Sequence, residues 1–515
     1  MLSEPSYPQH PGGAGKCAHL LAAGLVRRGH RVHLVCRTGG EAVRERIDGV
    51  RVHRLPEPRG PHAPSERTEA ATAREFLDYL TRRVPLGGID VIHDASGFLS
   101  YFFPVELELK RRLGVPLVVQ FQLLLAGYLR ACRPDPVPFS DASLAPEATV
   151  RETVQCFAAR LADLIVCLSE DEVALAQRLF RPEGGRVASL PCPVDVERLV
   201  AKGGAIPELA GGGARGPRVL FAGRIGDPMK GADVVLRAFR RVLRARPDAR
   251  LVVLTSDRAA LSRFDELGDT VVRLDWVAEP ERLAAIYGAV DVAVLPSRYE
   301  PFGMLCLELL AAGVPVIAAP TGGLREMVGH GENGLLLGHD RRAWDAELAQ
   351  GIVALVSNPA LVRRMRAVAR RRAAERYAVP IVAERLERLY DTARGRFDQA
   401  PSHAVRAPIL RPADRRRYLA LLEELAGPAA RRLGDGALAD LPSSIEERCG
   451  RCSRARLATD AARLTAVGAE RESADGRRLE EAVTSACPLG LLQRAWLAPE
   501  RARRGAAGAR ASRRS

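Results

Sequence analysis

The sequence has no uncharged apolar run of the roughly 18 residues that a membrane-spanning helix requires. Its first residues, MLSEPSYPQHPGG, do not join a basic segment to a following apolar run, which argues against a signal peptide. We therefore expect a cytoplasmic protein, with peripheral contact with the inner membrane left open as an alternative. A length of 515 residues exceeds what one hydrophobic core usually serves and favours two domains with an extension.

Lysine is scarce, with only Lys16, Lys110, Lys202 and Lys230 among 77 basic residues. The formal net charge is +15, and residues 401–515, with 22 arginines and 14 acidic residues, carry about half of that excess. This distribution indicates a general preference for arginine rather than a surface built for a polyanion. We therefore expect no nucleic-acid partner, although the basic tail keeps nucleic-acid binding open as an alternative.

Candidate metal ligands are also few. Most of the ten cysteines stand singly in apolar segments, as buried thiols of a reducing compartment do. Only Cys449 and Cys452 have a spacing typical of a zinc site, which needs a full tetrahedral set of ligands. After them comes only Cys487, and no histidine follows His403. Since the sequence also lacks an Asp-x-Asp pair, we expect neither a bound metal nor a cofactor.

Short apolar segments alternate with amphipathic ones along most of the chain. Strands that are apolar on both faces and alternate with helices are typical of a parallel sheet covered on two sides. A Gly- and Pro-rich segment at 203–217 separates two such stretches, and beyond Ala400 the alternation gives way to Arg, Ala and Gly. The functional site is expected in a cleft between the two halves. The segments predicted as strands in the first stretch are residues 32–36, 50–55, 91–93, 116–121 and 164–168.

A glycine-rich segment, Pro-Gly-Gly-Ala-Gly at 11–15, comes directly before an amphipathic helix. Glycines there let the backbone approach a ligand closely, and the helix N-terminus supplies free N–H groups for a phosphate. The pattern is weak by itself, because an ordinary turn explains it equally well.

Two cations lie in a turn of the second half. A predicted strand ends at Gly223 and a helix begins near Gly231, with Arg224 and Lys230 between them. Two cations at the carboxyl end of a parallel strand can neutralise a pyrophosphate, Arg through its fork of donors and Lys as a point charge. Surface charges in a loop are the alternative interpretation.

Two glutamates follow the strand DVAVLP in the second half. Glu300 lies in the loop after it, where capping of the next helix is a sufficient explanation. Glu308 lies about two turns into that helix among apolar residues, so its carboxylate needs a partner or a pair of ligand hydroxyls. Gly322 and Gly323 mark another turn from strand to helix that suits a phosphate or a sugar.

These motifs, together with LVRRGHRVHLV, EPFG, AAGVPVIA and GENGLLL, resemble the retaining family-4 glycosyltransferases of the GT-B fold (glycosyl transferases group 1). The phosphatidylinositol mannosyltransferases are similar in their Gly-Arg…Lys-Gly turn. The resemblance covers residues 3–395. It implies a hexosyltransferase-type enzyme (EC 2.4) that moves a sugar from a nucleoside-diphosphate sugar to an acceptor hydroxyl with retention. The acceptor would be a small molecule or lipid-linked, in a glycolipid, polysaccharide or natural product.

The resemblance implies an α/β architecture of two facing Rossmann-like domains with the catalytic cleft between them. The N-terminal, acceptor-side domain would cover residues 1–205. The C-terminal domain, which binds the nucleotide sugar, would cover residues 216–395. Residues 400–515 would form a partly helical or disordered extension, and we expect that extension to be dispensable for transfer.

The resemblance also implies roles for single residues. Arg224 and Lys230 would hold the donor diphosphate and, with Glu300, form the catalytic set, because Glu300 would bind the transferred sugar. Glu308 would bind the ribose, and Gly13 would face the phosphate across the cleft. The backbone N–H groups expected beside the sugar are those of Phe302, Gly303 and Met304.

Three positions depart from the family pattern. Two positions near the reacting centre that are often His are here Gln122 and Ala95, and Gln122 can hydrogen-bond a sugar but cannot act as an acid or base. His93 and Asp94 remain acceptor-side candidates with Gln122, although His93 suits a structural hydrogen bond equally. The family's first strand precedes the glycine-rich segment, where only MLSEPSYP stands, so Met1 is expected inside or just after that strand.

Two alternatives share the same fold. A sugar-nucleotide epimerase or a phosphorylase would release or interconvert sugars without an acceptor hydroxyl. A non-catalytic partner subunit is suggested by Gln122 and Ala95, since both replace residues near the reacting centre.

Overall fold

Two largely parallel sheets, one from each half of the chain, form the framework of the protein. In the part of the chain that the structure describes, no helix is both long and apolar enough to cross a membrane. The predicted extension at 400–515, most of the linker 203–217 and the Cys449 to Cys452 pair lie outside the described residues. The computed structural model describes residues 1–3, 12–38, 41–56, 87–96, 113–124, 162–180, 185–200, 206–210, 216–277 and 279–399, with short runs and single residues between 79 and 182.

The described part of the N-terminal half contains two ladders of strands. One has the order β1-β3-β2, with β2 antiparallel at the edge, and the other runs β4-β5-β6-β7 with all strands parallel. The strands are β1 (His33–Thr38), β2 (Val43–Ile47), β3 (Val50–Pro56), β4 (Ile92–Asp94), β5 (Leu117–Phe121), β6 (Leu164–Cys167) and β7 (Val187–Ser189).

Residues 1–3 join these two ladders. Leu2 makes parallel bridges with both Val35 of β1 and Asp94 of β4. Its N–H donates to the His93 carbonyl at 2.8 Å, and the N–H of Ser3 donates to the Val35 carbonyl at 3.0 Å. Strand order therefore reverses at this stretch, which is a topological switch point of the sheet.

The C-terminal half contains one six-stranded parallel sheet with the order β10-β9-β8-β11-β12-β13. In such doubly wound sheets the crevice at the switch point, here between β8 and β11, is where ligands bind. The strands are β8 (Arg218–Ala222), β9 (Arg250–Thr255), β10 (Val271–Asp275), β11 (Val292–Leu295), β12 (Val316–Ala318) and β13 (Gly334–Leu336).

Helices cover both sheets and follow the amphipathic segments of the sequence. The helices with defined bounds are α1 (Gly13–Arg27), α2 (Glu170–Phe180), α3 (Pro207–Ala210), α4 (Ala232–Ala245), α5 (Pro280–Gly288), α6 (Met304–Ala311), α7 (Gly323–Met327), α8 (Trp344–Val356), α9 (Pro359–Tyr377) and α10 (Val379–Gln399). The 3₁₀ turns are Glu197–Leu199, Pro228–Lys230, Ala259–Thr270 and Arg341–Ala343.

Two helices illustrate how burial follows from composition. In α4, Val235, Phe239 and Val242 recur at helical spacing and are buried, whereas Arg240 faces solvent. In α6 the residues are apolar on every side except at Glu308, and the helix is buried over most of its length. A buried helix of this kind makes its single carboxylate a costly residue unless a partner accompanies it.

The last helix, α10, crosses back to the N-terminal half and packs against α1. The hydroxyl of Tyr390 lies 2.8 Å from Nδ1 of His93 in β4, and Glu387 forms an ion pair with Arg28. The predicted C-terminal domain, residues 216–395, includes most of this helix, whereas the contacts above join the helix to the N-terminal half. One apolar cluster accordingly runs through both halves.

Candidate active site

The switch point of the C-terminal sheet brings two of the predicted site residues together. The turn after β8 carries Lys230 and the loop after β11 carries Glu300, and the two strands are neighbours. The Nζ of Lys230 lies 2.5 Å from Oε2 of Glu300, and both side chains are partly exposed. The cation expected at the donor diphosphate and the carboxylate expected at the sugar thus form one pair.

The turn that carries Lys230 is fixed by its own sequence. Asp227 caps it by accepting a hydrogen bond from the Met229 N–H at 2.9 Å. Gly231 ends it with φ of 73°, and a Cβ at this position would lie 2.4 Å from the carbonyl oxygen of Pro296. Only glycine fits this approach, which holds the Lys230 turn against the loop after β11.

Arg298 connects the same two loops. Its guanidinium donates to both carboxylate oxygens of Asp233 at 2.9 and 2.8 Å and to the Pro228 carbonyl at 2.8 Å. Its backbone N–H donates to the Met229 carbonyl at 2.7 Å. Burial alone would raise the pKa of Asp233, but Arg298 and the nearby Arg237 together hold it below its usual value. Arg298 therefore holds the Lys230 turn in its position beside the Glu300 loop.

The loop after β12 packs on the backbone around Glu300. Gly322 has φ of 46° and ψ of −133°, and a Cβ there would lie 2.0 Å from the Glu300 carbonyl oxygen. A residue other than glycine would push the Glu300 loop away from the helix N-terminus that follows it. The predicted turn at Gly322 and Gly323 thus supports the Glu300 backbone directly.

Glu308 lies in α6 and is bound from two sides. Lys16 of α1 places its Nζ 2.5 Å from Oε1, and the Tyr287 hydroxyl donates to Oε2 at 3.2 Å. Burial, with the Glu308 carboxylate as a second cause, raises the pKa of the Tyr287 hydroxyl, which therefore stays a donor. The Lys16 to Glu308 pair crosses the cleft, since α1 belongs to the N-terminal half.

The N-termini of α1 and α6 face each other at the same place. A Cβ at Gly13 in the first turn of α1 would lie 3.4 Å from Cγ of Met304 in the first turn of α6. Both helices start without a side-chain cap, so their first N–H groups are not bound by a capping side chain. Two positive helix ends at one point favour an anion there.

The sequence matches the family glycosyl transferases group 1 over residues 216–358 and a glycosyl transferase 4-like domain over residues 12–193. A D-inositol 3-phosphate glycosyltransferase of Xylanimonas cellulosilytica is 30% identical over 407 residues, 73% of this chain and 92% of the relative. One from Thermobispora bispora is 34% identical over 332 residues, 60% of this chain and 71% of the relative. The chain belongs to the glycosyl transferases group 1. The family resemblance and the enzyme class predicted from the sequence are thereby confirmed.

Solved structures share the fold of this glycosyltransferase. Sucrose-phosphate synthase from Thermosynechococcus elongatus superimposes with a TM-score of 0.59 at 23% identity, over 76% of this chain and 94% of that protein. The predicted GT-B fold class, with two Rossmann-like sheets, is confirmed.

Arg224 stands apart from the other predicted donor residues of the glycosyltransferase. Its side chain is 79% exposed and lies 3.6 Å from the carboxylate of Asp227. Lys230, Glu300, Glu308 and the α6 N-terminus form one group around the facing helix ends. Within the described part of the chain, Arg224 forms no hydrogen bond or ion pair with them. Its expected role at the diphosphate stays a prediction.

The three acceptor-side candidates of the glycosyltransferase lie on β4 and just after β5. His93 is buried between β4 and α10 against Tyr390, and burial lowers its pKa to about 3, so the ring is neutral. Asp94 is also buried and accepts hydrogen bonds from the N–H and hydroxyl of Ser96. Gln122 donates from Nε2 to the Ala95 carbonyl at 2.6 Å and is partly exposed. Its exposure makes Gln122 the candidate best placed to meet an acceptor.

Two residues at the boundary between the halves were missed in the sequence. Glu172 in the first turn of α2 accepts hydrogen bonds from Tyr299 Oη at 3.1 Å and from the Leu124 N–H at 3.2 Å. Burial raises the pKa of Glu172 to about 7. The Tyr299 hydroxyl, which has a single proton, also lies 3.1 Å from the Leu124 carbonyl oxygen, and Tyr299 stands next to Glu300. The link therefore ties the Glu300 loop to the N-terminal half.

The missed residues differ in how clearly their sequence context indicates a functional role. Lys16 follows the glycine-rich segment and is one of four lysines in an arginine-rich chain, so its rarity was a usable signal. Arg298 and Tyr299 stand directly before Glu300. Only this position beside a predicted site residue could have indicated their role. Glu172 lies in an ordinary acidic first turn of a helix, and nothing in its local sequence separates it from Glu170 or Asp171.

Proposed function

We propose that this glycosyltransferase moves a sugar from a nucleoside-diphosphate sugar to an acceptor hydroxyl, with retention at the anomeric carbon and without a metal ion. The observation that supports it best is the group formed by Lys230, Glu300 and Glu308 at the facing N-termini of α1 and α6. It combines one cation and two helix ends for a diphosphate with two carboxylates for sugar and ribose hydroxyls.

The chemistry follows from where charge develops. Negative charge grows on the departing diphosphate in the transition state, where Lys230 and the two helix N-termini would stabilise it. Glu300 is held within reach of Lys230 and would accept hydrogen bonds from the hydroxyls of the transferred sugar. Because side-chain and backbone donors supply the positive charge, transfer needs no divalent cation in this proposal.

The acceptor is proposed from the relatives. Those at 30% and 34% identity carry the name D-inositol 3-phosphate glycosyltransferase, so this phosphorylated polyol is the first acceptor to test. If the polyol phosphate is not an acceptor, the proposed acceptor is a glycolipid, a polysaccharide or a natural product. Gln122, with its amide held by the Ala95 carbonyl, is the residue proposed to meet the acceptor.

The test is an NMR analysis of the transfer product. The protein is incubated with a donor sugar and D-inositol 3-phosphate, with and without EDTA, and the anomeric coupling constant of the product is read. We expect the product to keep the anomeric configuration of the donor and the rate to be unchanged by EDTA. An inverted anomer would overturn retention, and a rate abolished by EDTA and restored by a divalent cation would overturn metal independence.

A further inference from the structure

Lys16 is a cation from the N-terminal half that lies in the expected donor site, and no role had been assigned to it. Its Nζ lies 2.5 Å from Oε1 of Glu308, and the two side chains are 18% and 7% exposed. Oε2 of the same carboxylate already accepts a hydrogen bond from Tyr287. The carboxylate proposed to hold the ribose is therefore bound on both oxygens by protein donors.

A ribose at Glu308 would compete with this ammonium. Its hydroxyls need a carboxylate oxygen as acceptor, and Oε2 faces the buried Tyr287 while Lys16 stands at Oε1. An ammonium leaving this buried carboxylate must find another anion, because an unpaired charge in such a place is costly. The displacement of Lys16 therefore needs a second partner close by.

The position of Lys16 on α1 indicates that partner. It stands in the first turn, and its N–H donates to the carbonyl of Gly12 at 3.1 Å. Gly13 in the same turn faces Met304 at the N-terminus of α6, where two helix ends favour an anion. The flexible four-carbon stem of a lysine can turn from Glu308 towards this point without moving the helix.

We propose that Lys16 is a donor-binding residue that exchanges partners: it pairs with Glu308 when no nucleotide is bound and with the donor diphosphate when the nucleotide is bound. The inference rests on the proposed function, since it takes the ribose and diphosphate positions from there. It adds a cation from the N-terminal half to the one that Lys230 supplies from the C-terminal half. Donor binding thereby ties the two halves together through one phosphate group.

The exchange has opposite consequences for nucleosides and nucleoside diphosphates. A nucleoside displaces Lys16 from Glu308 and offers no phosphate in return, so the wild type binds it weakly. Lys16→Met removes that competition and leaves nucleoside affinity unchanged or higher. The same variant loses a charge-assisted hydrogen bond to the diphosphate, which weakens nucleoside-diphosphate affinity about tenfold or more.

The test is calorimetric titration of UDP, GDP, ADP and dTDP, each beside its own nucleoside, into wild type, Lys16→Met and Lys16→Arg. The control is Arg27→Met, an exposed cation in the last turn of the same helix. For the base that binds the wild type, the ratio of nucleoside Kd to nucleoside-diphosphate Kd should fall about tenfold or more in Lys16→Met. Lys16→Arg and Arg27→Met should stay within a few-fold of the wild-type ratio.

The ratio compares two ligands on one protein preparation, so a partly unfolded variant does not imitate the expected result. Equal weakening of both ligands in Lys16→Met, or no change in either, overturns the partner exchange while the proposed function stands. If the wild type binds none of the four nucleoside diphosphates, the proposed function fails and the inference fails with it.

Discussion

Two of the four lysines in the chain bind the two carboxylates predicted for the donor site. Lys230 binds Glu300 within the C-terminal half, and Lys16 binds Glu308 across the cleft. Most surface ion pairs of the described residues use arginine instead, whose planar fork suits a lasting bidentate contact. A lysine is a compact charge on a flexible stem, and it can give up a carboxylate for a ligand with little rearrangement.

Glu300 and Lys230 should have separable effects. Glu300→Gln should leave nucleoside-diphosphate affinity within a few-fold, because its expected partner is the sugar, and should lower kcat. Lys230→Met should lower kcat about 10²–10³-fold, since the leaving-group charge is largest in the transition state. Both variants are assayed by steady-state transfer and by calorimetry with the free nucleoside diphosphate.

The control for this pair is Arg240→Met on α4, which breaks an exposed ion pair with Glu266. It should change neither kcat nor the melting temperature appreciably, since exposed pairs contribute little. Activity within a few-fold of wild type in Lys230→Met would mean that Lys230 does not act on the leaving group.

Glu172 should make stability depend on pH between its unfolded and folded pKa. Burial raises the folded pKa to about 7, from a usual value of 4.5. The folded state therefore binds the proton more tightly, and this stabilisation is complete below pH 4.5 and is lost as the pH rises through 7. The loss amounts to about 3 kcal/mol over the full range.

Glu172→Gln keeps an acceptor for the Leu124 N–H and a partner for Tyr299, but it does not titrate. We expect its melting temperature to be close to that of the wild type at pH 4.5 and higher than that of the wild type at pH 8.5. Differential scanning calorimetry of both proteins across this range provides the measurement. If the melting temperatures of the two proteins differed by the same amount at every pH, Glu172 would not carry a buried charge at high pH.

At the scale of the elements, Arg298 should contribute more to the stability of the fold than Arg237, although both side chains donate to Asp233. Arg298 is buried, binds Asp233 through two hydrogen bonds and also holds the Lys230 turn. Arg237 is half-exposed, and its Nη1 lies 3.1 Å from Oδ2 of Asp233. Arg298→Met should lower the free energy of unfolding by about 2–3 kcal/mol and reduce kcat. Arg237→Met should cost less than about 1 kcal/mol. Urea unfolding compares the two, and equal losses would contradict the role given to Arg298.

Element prediction succeeded where a strand contains a run or an alternation of buried apolar residues. The segments predicted at 32–36, 50–55 and 116–121 correspond to β1, β3 and β5 within two residues at each end. β2 was missed because its sequence VRERI carries charge at three of five positions and its residues are largely exposed at a sheet edge. An edge strand needs little apolar surface, so a search for runs of apolar residues does not reveal it.

At the scale of the whole molecule, the contacts that complete the site join residues far apart in sequence. Lys16 and Glu308 are 292 positions apart, and Tyr390 and His93 are 297 apart. Motif spacing placed Lys230, Glu300 and Glu308 in one half, because they follow neighbouring strands. It could not show that α1 brings a cation to Glu308 or that α10 returns to cover His93, since both depend on how the halves pack.

The assignment of the cleft as a nucleotide-sugar site is tested most directly by thermal shift with UDP-, GDP-, ADP- and dTDP-sugars. Wild type is compared with Glu308→Gln and with the control Glu332→Gln, which alters an exposed ion pair with Arg372. We predict that one nucleotide class raises the melting temperature of wild type and the control, because only bound ligand stabilises the folded state. The shift should be greatly reduced in Glu308→Gln. An equal shift in Glu308→Gln, or no shift with any donor, would contradict the assignment.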